Sequence, residues 1–313
     1  MKPGYLAYSL DELQGRAQKA LHVLESCRLC PRRCEINRLE GKTGVCQTGR
    51  WAPVASYHLH FGEENPLVGD SGSGTIFFAG CNLGCDFCQN HEISHNTLDA
   101  PEAEPRQIAA LMLELQRMGA LNINFVTPTH VVPQILEALL YAVQEGLRLP
   151  LVYNCGGYEE VDTLGLLEGI VDIYMPDLKF SHPEVAKRLA RAEDYPEKAK
   201  SAVKEMHRQV GDLQKNDRGE ALRGLIVRHL LLPGDLAGTR DWLEFLSREV
   251  STGTYINLMG QYHPSGEARR HPDLCSTISE KDMEQARQEA LGLGLKRLEP
   301  RERPSLRALL KRL

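Results

Sequence analysis

Seven of the nine cysteines fall into two tight groups, and their spacing is the strongest chemical signal in the chain. Cys81, Cys85 and Cys88 stand in a C-x3-C-x2-C arrangement inside Gly80-Cys81-Asn82-Leu83-Gly84-Cys85-Asp86-Phe87-Cys88. Three thiolates at that spacing can cover one face of a [4Fe–4S] cubane. The usual complement is four ligands, so three leave one iron open to an exogenous ligand. Cys27, Cys30, Cys34 and Cys46 form the other group, on a segment broken by Pro31, Gly41 and Gly44. Four soft ligands can close around tetrahedral zinc or hold a second, auxiliary [4Fe–4S] cluster. One Cys-x2-Cys pair and a Cys-Pro step lean toward the cluster, and zinc stays open.

The elements that must position these ligands follow from the hydrophobic pattern. Short apolar runs at 75–79, 123–127, 151–154, 171–175, 225–231 and 254–258 read as strands. Helical patterns lie near 105–118, 131–146, 159–168, 183–213, 238–249 and 279–293. Such alternation implies parallel strands joined by right-handed crossovers. Six strands are too few for a full eight-stranded barrel. They fit a partial (β/α)6 TIM-like barrel, with a doubly wound sheet as the other arrangement. The Cys81–Cys88 loop follows the first strand directly, at the carboxyl end where parallel α/β folds build their sites. Residues 1–26 read as a helical lead-in, and 51–73 are punctuated by Gly, Pro and Asn. The expected division is an N-terminal helix with a four-cysteine metal-binding module at 1–70, the barrel at 71–295, and a basic tail at 296–313.

The cluster loop, with an aromatic Phe87 before its last cysteine, resembles that of the radical S-adenosylmethionine superfamily. The similarity extends further. Cys-x2-Cys-Pro-x2-Cys, His60-Phe61-Gly62-Glu63-Glu64, Gly72–Phe78, Asn124–His130, Tyr153–Tyr158, Pro176-Asp177-Leu178-Lys179 and Asn257–Tyr262 resemble the branch related to pyruvate formate-lyase activating enzymes. The resemblance implies that the open iron binds S-adenosylmethionine. Reductive cleavage would then yield a 5′-deoxyadenosyl radical that abstracts hydrogen from a substrate, which for an activase is a protein. It also implies cofactor contacts. Val126-Thr127-Pro128-Thr129-His130 stands where relatives carry Gly-Gly-Glu, so Thr127, Thr129 and His130 are candidates for the methionine amino group. Thr129 could equally cap the helix that follows. Phe87 and Asn154 are further candidates, and Lys179 could neutralise the methionine carboxylate. Arg228 and His229, polar inside an apolar strand, are placed near the ribose and carboxylate, and Asn257 beside the adenine.

Other residues are less committed. His58 and His60 would share one face of an extended strand, in a substrate-facing or structural role. Cys155 reads as a buried inert thiol and Cys275 as incidental.

Composition sets outer limits. A formal net charge of −5 argues against a partner bound through nucleic-acid phosphates. No apolar run reaches the roughly 18 residues of a membrane span, and no signal-peptide core opens the chain, so the expected location is cytoplasmic. Reducing conditions there favour metal-bound cysteines over disulfides. Arg28, Arg32, Arg33, Arg38, Lys42 and Arg50 make the first cysteine segment basic, suited to an acidic electron donor such as flavodoxin or ferredoxin. The competing function is an iron–sulfur electron-transfer or sensing protein with fully ligated clusters and no cofactor cleavage.

Overall fold

The computed structural model describes residues 2–300. Along the chain the strands are β1 (Ala52–His60), β2 (Ser73–Phe78), β3 (Glu102–Ala103), β4 (Ile123–Val126), β5 (Leu151–Cys155), β6 (Ile173–Leu178), β7 (Gln214–Lys215), β8 (Ala221–Leu230) and β9 (Tyr255–Met259). They form one sheet in the order β3-β1-β2-β4-β5-β6-β8-β7, with β9 paired to β8. β2, β4, β5, β6, β8 and β9 are mutually parallel. This is the six-strand parallel α/β arrangement that the apolar runs predict. β5 is buried at every position, as strands covered on both faces must be.

The crossovers are helical. Pro105–Arg117 and Val132–Gln144 carry five and eight buried residues, respectively. Capping boxes at Ser9/Glu12, Glu104/Gln107 and Ser279/Asp282 start three of the helices. The predicted helix over 183–213 is in fact two, Pro183–Ala190 and Tyr195–Val210. Arg191 takes a left-handed φ of 54° and ends the first, and Pro196 sits in the first turn of the second.

β1 is the element that the hydrophobic pattern did not announce. It runs antiparallel to β2, with His58 opposite Thr75 and His60 opposite Ser73. Its middle residues are exposed, so the alternation that marks a half-buried strand is weak. His58 and His60 do share a face there, with ring centroids 5.7 Å apart, and His58 stacks on Phe77.

β1 and β9 are not paired with each other, and the turn after β1 lies between them. Asn257 donates to Glu64 Oε1 at 2.8 Å, and the Asn65 amide donates to Glu299 Oε1 at 3.1 Å. The N-terminal residues are tied to the amino ends of the strands: the Gly4 amide donates to Asp172 Oδ1, and Tyr5 donates to the Leu149 carbonyl. Of the basic tail, residues 301–313 lie outside the described residues. Among the described residues no helix is long and apolar enough to cross a membrane.

Candidate active site

β2 delivers the chain into the cysteine loop through Gly80, at φ 78°, where a Cβ would collide with the Cys46 carbonyl oxygen. The Cys46–Thr48 segment therefore packs against the entry to the cysteine loop. Cys81, Cys85 and Cys88 line a cavity of about 250 Å³ at the carboxyl ends of the parallel strands. The Leu83 amide lies 3.3 Å from Cys81 Sγ, and the Ser94 hydroxyl lies 3.3 Å from Cys88 Sγ. Donors of this kind stabilise a thiolate. Burial pushes the Cys85 thiol up, and Lys179 opposes that shift. Three soft ligands on one wall, with hydrogen bonds already aimed at two sulfurs, fit a cubane with one iron facing inward.

The opposite wall is polar because strand alternation turns Asn154, Asp177 and Arg228 inward. Asp177 and Arg228 are directly paired in the β6–β8 register. Asp177 accepts from Lys179 Nζ at 2.7 Å and from Arg228 Nε at 2.6 Å. Arg228 also donates to Asn154 Oδ1 at 2.7 Å and reaches Glu63 Oε2 at 3.4 Å. Burial alone would raise Asp177, but Arg228 and Lys179 outweigh it and hold the carboxyl below its ordinary value. Burial would likewise lower Lys179, whereas Asp177 and Cys85 hold it above its usual range. The wall thus carries two fixed cations facing the cysteines, able to receive a carboxylate.

Of the residues expected at the cofactor, Phe87, Thr127, Asn154, Lys179 and Arg228 line this cavity with the three cysteines. Phe87 is held edge-on by Phe180 and Tyr262. Thr127 takes a left-handed φ of 58°, which ends β4 abruptly. Four other candidates lie elsewhere. Thr129 donates to Glu159 Oε1 at 2.6 Å, and Glu159 also accepts from Tyr153, on the face of β5 opposite Asn154. His130 uses Nε2 against the Ala79 carbonyl, while its own carbonyl accepts from Arg38; burial, aided by Arg38, pushes its ring down to about 3. A neutral buried imidazole bracing the cluster loop replaces the expected cofactor ligand. His229 alternates outward from Arg228, and both its ring nitrogens are engaged, by the Leu178 carbonyl and Thr239. Asn257 lines a separate cavity beside Glu64. Cys155 borders the cysteine cavity, but its thiol turns with Tyr153 toward Glu159.

Two site residues that were not among the candidates are Asp177, which joins both cations, and Arg32, which clamps the loop. Asp177, within β6, and Lys179, one residue past its end, are two apart, the spacing that puts side chains on one face of an extended segment. Arg32 donates to the carbonyls of Asn82 (2.8 Å), Leu83 (3.0 Å) and Ala190 (2.7 Å), and to that of Arg191, and lies over the Tyr158 ring. No local pattern announces such a contact.

Cys27, Cys30 and Cys46 are buried and Cys34 is half-buried. Arg38, 1% exposed, places NH1 3.9 Å from Cys27 Sγ and is otherwise spent on the carbonyls of Gly49 and His130. Among the described residues no three His, Cys, Asp or Glu side chains converge as a site for a single ion. Arg28, Arg33, Lys42 and Arg50 are each ion-paired, with Glu35, Glu160, Glu40 and Glu137.

Comparison with known proteins agrees with this geometry. A profile of the Radical SAM superfamily matches residues 75–214, from within β2 into β7. The uncharacterized protein MJ0674 of Methanocaldococcus jannaschii is 31% identical over 280 residues, covering 87% of this chain and 76% of its own length. Residues 75–214 form a domain of the radical SAM superfamily. Among solved structures the fold is similar to that of a radical SAM methyltransferase from Sphaerobacter thermophilus. The TM-score is 0.50 at 13% identity, over 92% of each chain. A second similar structure is HydG, a maturase of the [FeFe]-hydrogenase, with TM-score 0.48, 12% identity, and coverage of 95% of this chain and 67% of that one. Superfamily membership implies a [4Fe–4S] cluster and S-adenosylmethionine, and the cysteine cavity has the donor set and the facing cations that such a pair needs.

Proposed function

We propose that this radical SAM protein reductively cleaves S-adenosylmethionine and abstracts hydrogen from a substrate, in the manner of an activase acting on a protein. The observation that carries the reading is the single cavity holding three cysteines on one wall and Lys179, Asp177, Arg228 and Asn154 on the other. When bound, the cluster and cofactor supply one-electron cleavage of the sulfonium and a 5′-deoxyadenosyl radical. Cys81, Cys85 and Cys88 hold the cluster in this reading, and Lys179 orients the methionine carboxylate. Asp177 fixes Lys179 and Arg228 at the distances given above, so neither must reorganise when an anion arrives. Phe87 and the other apolar lining keep water from the reacting centre.

In the same reading residues 1–70 carry a second metal site, 71–295 the radical chemistry, and 296–313 a basic extension. Cys27, Cys30, Cys34 and Cys46 hold an auxiliary [4Fe–4S] cluster, with Arg38 offsetting its charge. The activase assignment rests on the motifs shared with the activating-enzyme branch. The electron donor is of the flavodoxin or ferredoxin type, and its docking would have to compete with the ion pairs that now occupy Arg28, Arg33, Lys42 and Arg50. A purely electron-transferring protein would have no use for two cations and an amide facing the three-cysteine wall.

The test is anaerobic reconstitution with iron and sulfide, reduction with dithionite, and quantification of 5′-deoxyadenosine and of metal per chain. Formation that vanishes in Cys85→Ala supports the reading. About eight irons would support two clusters, and about four irons with one zinc would make the first group a zinc site. A fully loaded, reducible cluster that yields no 5′-deoxyadenosine would refute the enzyme.

A further inference from the structure

The open side of the barrel holds a second cavity, larger than the first, that the chemistry above does not use. It measures about 530 Å³ and lies between the turn after β1 and the end of β9. Among the described residues four carboxylates line it, on Glu63, Glu64, Glu280 and Glu299, against one guanidinium, on Arg287. The hydrogen bonds of Glu299 come from neutral donors, the Asn65 amide and the Tyr255 hydroxyl. Arg287 donates to the Glu299 backbone carbonyl. Arg228 reaches Glu63 from the cofactor side and acts on Glu64 through its charge, but it hydrogen-bonds none of the other three.

Acidity by itself is not a binding site. The decisive feature is Glu64, which is only 4% exposed and lines this cavity. Its Oε1 accepts from Asn257, but among the described residues its buried Oε2 has no partner. Asn124 donates to Glu63 Oε1, and among the described residues its own buried Oδ1 has no partner. Both unmatched atoms in this network are acceptors. An unpaired buried acceptor is costly, and a buried carboxylate oxygen more so, which calls for a donor that carries positive charge. No third ligand completes a single-ion metal site among the described residues. A guanidinium pairs best with both oxygens of one carboxylate, and Asn257 already occupies one of them. A compact ammonium, with three donors on one nitrogen, suits a single free oxygen better.

We propose that this gap cavity binds an alkylammonium group of the substrate, with Glu64 as its principal acceptor and Glu280 and Glu299 providing the surrounding negative field. Its position suits a substrate subsite. Gln261 lines both cavities, and β9 separates them, with Met259 on the cofactor side and Leu258 and Gly260 on the gap side. A substrate anchored here by its ammonium group enters through the lateral opening and reaches the cofactor past Gln261. Calling the bound group part of a substrate rests on the radical reading; the cation site itself does not.

Spermidine is the probe, titrated calorimetrically into the anaerobically reconstituted full-length protein at fixed ionic strength. The wild type is expected to bind it, and Glu64→Gln to weaken binding about tenfold or more, the loss typical of a charged hydrogen bond. Glu280 is exposed at its helix start, so Glu280→Gln leaves the fold intact and should weaken binding a few-fold. Glu145→Gln, exposed beyond the helix Val132–Gln144, should bind as the wild type does. Absence of wild-type binding would overturn the proposal. So would unchanged affinity in both Glu64→Gln and Glu280→Gln, or displacement of spermidine by stoichiometric Mg²⁺ at the same ionic strength. The same preparation is assayed for 5′-deoxyadenosine. Spermidine binding without it would refute the radical reading and leave the cation site standing. The converse would refute the cation site alone.

Discussion

Asp177→Asn removes the one carboxylate that binds both Lys179 and Arg228 while keeping the shape of the side chain. The three side chains are 13%, 16% and 17% exposed, so the wall is largely shielded from solvent. Breaking a buried pair by removing one partner costs about 3–5 kcal/mol. Residual exposure, and the contacts that Arg228 keeps with Asn154 and Glu63, put the expected loss near the lower end, about 3 kcal/mol. At about 2 °C per kcal/mol for a chain of this size, Tm falls by about 6 °C. The pH dependence is equally specific. Because the folded pKa of Asp177 is depressed, its contribution is present above the ordinary carboxylate range and is lost only as pH falls through the folded value. The gap between variant and wild type should therefore be the same at pH 7 and pH 5. Thermal melts at both pH values, with Lys179→Met and the double variant completing a cycle, measure it. The double variant should be more stable than the two single losses predict, by about 1–2 kcal/mol. A Tm change under about 2 °C, or strict additivity, would refute the argument that Asp177 anchors the cationic wall.

Further outcomes follow from neighbouring contacts. Burial raises Glu159 to about 7, and the hydroxyls of Thr129 and Tyr153 only partly oppose it. A carboxyl with a raised folded pKa lowers stability as pH climbs from its unfolded value, here through the window of about 4.5 to 7. Glu159→Gln should flatten that decline, by about 2–4 kcal/mol across the window, in chemical denaturation at graded pH. Arg32→Ala frees the carbonyls of Asn82 and Leu83, so a chelator should strip iron from the variant several-fold faster than from the wild type. Gly80→Ala costs about 1–3 kcal/mol from the left-handed backbone alone. With the Cys46 collision added, it should show low iron content after reconstitution.

Much of this architecture was legible because it is periodic. All six parallel strands coincide with short apolar runs, and the cysteine loop sits at the end of the first of them as its spacing required. β1 escaped because its exposed middle breaks the alternation, and the 183–213 helix broke at Arg191, where no glycine marks the turn. In the site, in-out alternation decided what could be read. Asn154, Lys179 and Arg228 face the cysteines, whereas His229 is carried to the other side by the residue that places Arg228 correctly. Thr129 and His130 follow the turn at Thr127, and past that turn they bond Glu159 and the Ala79 carbonyl and do not line the cavity. The acceptors left open at Glu64 and Asn124 depend on which partners arrive from distant segments, and no local pattern encodes that.

The most direct test of the central claim is electron paramagnetic resonance of the reduced, fully loaded protein with S-adenosylmethionine labelled with nitrogen-15 on its methionine amino group. The account predicts a shifted cluster signal with resolved coupling to the labelled nitrogen, and loss of the signal from this cluster in Cys85→Ala. A reduced cluster whose spectrum is identical with and without saturating S-adenosylmethionine would mean that no iron is open to the cofactor, and would contradict it.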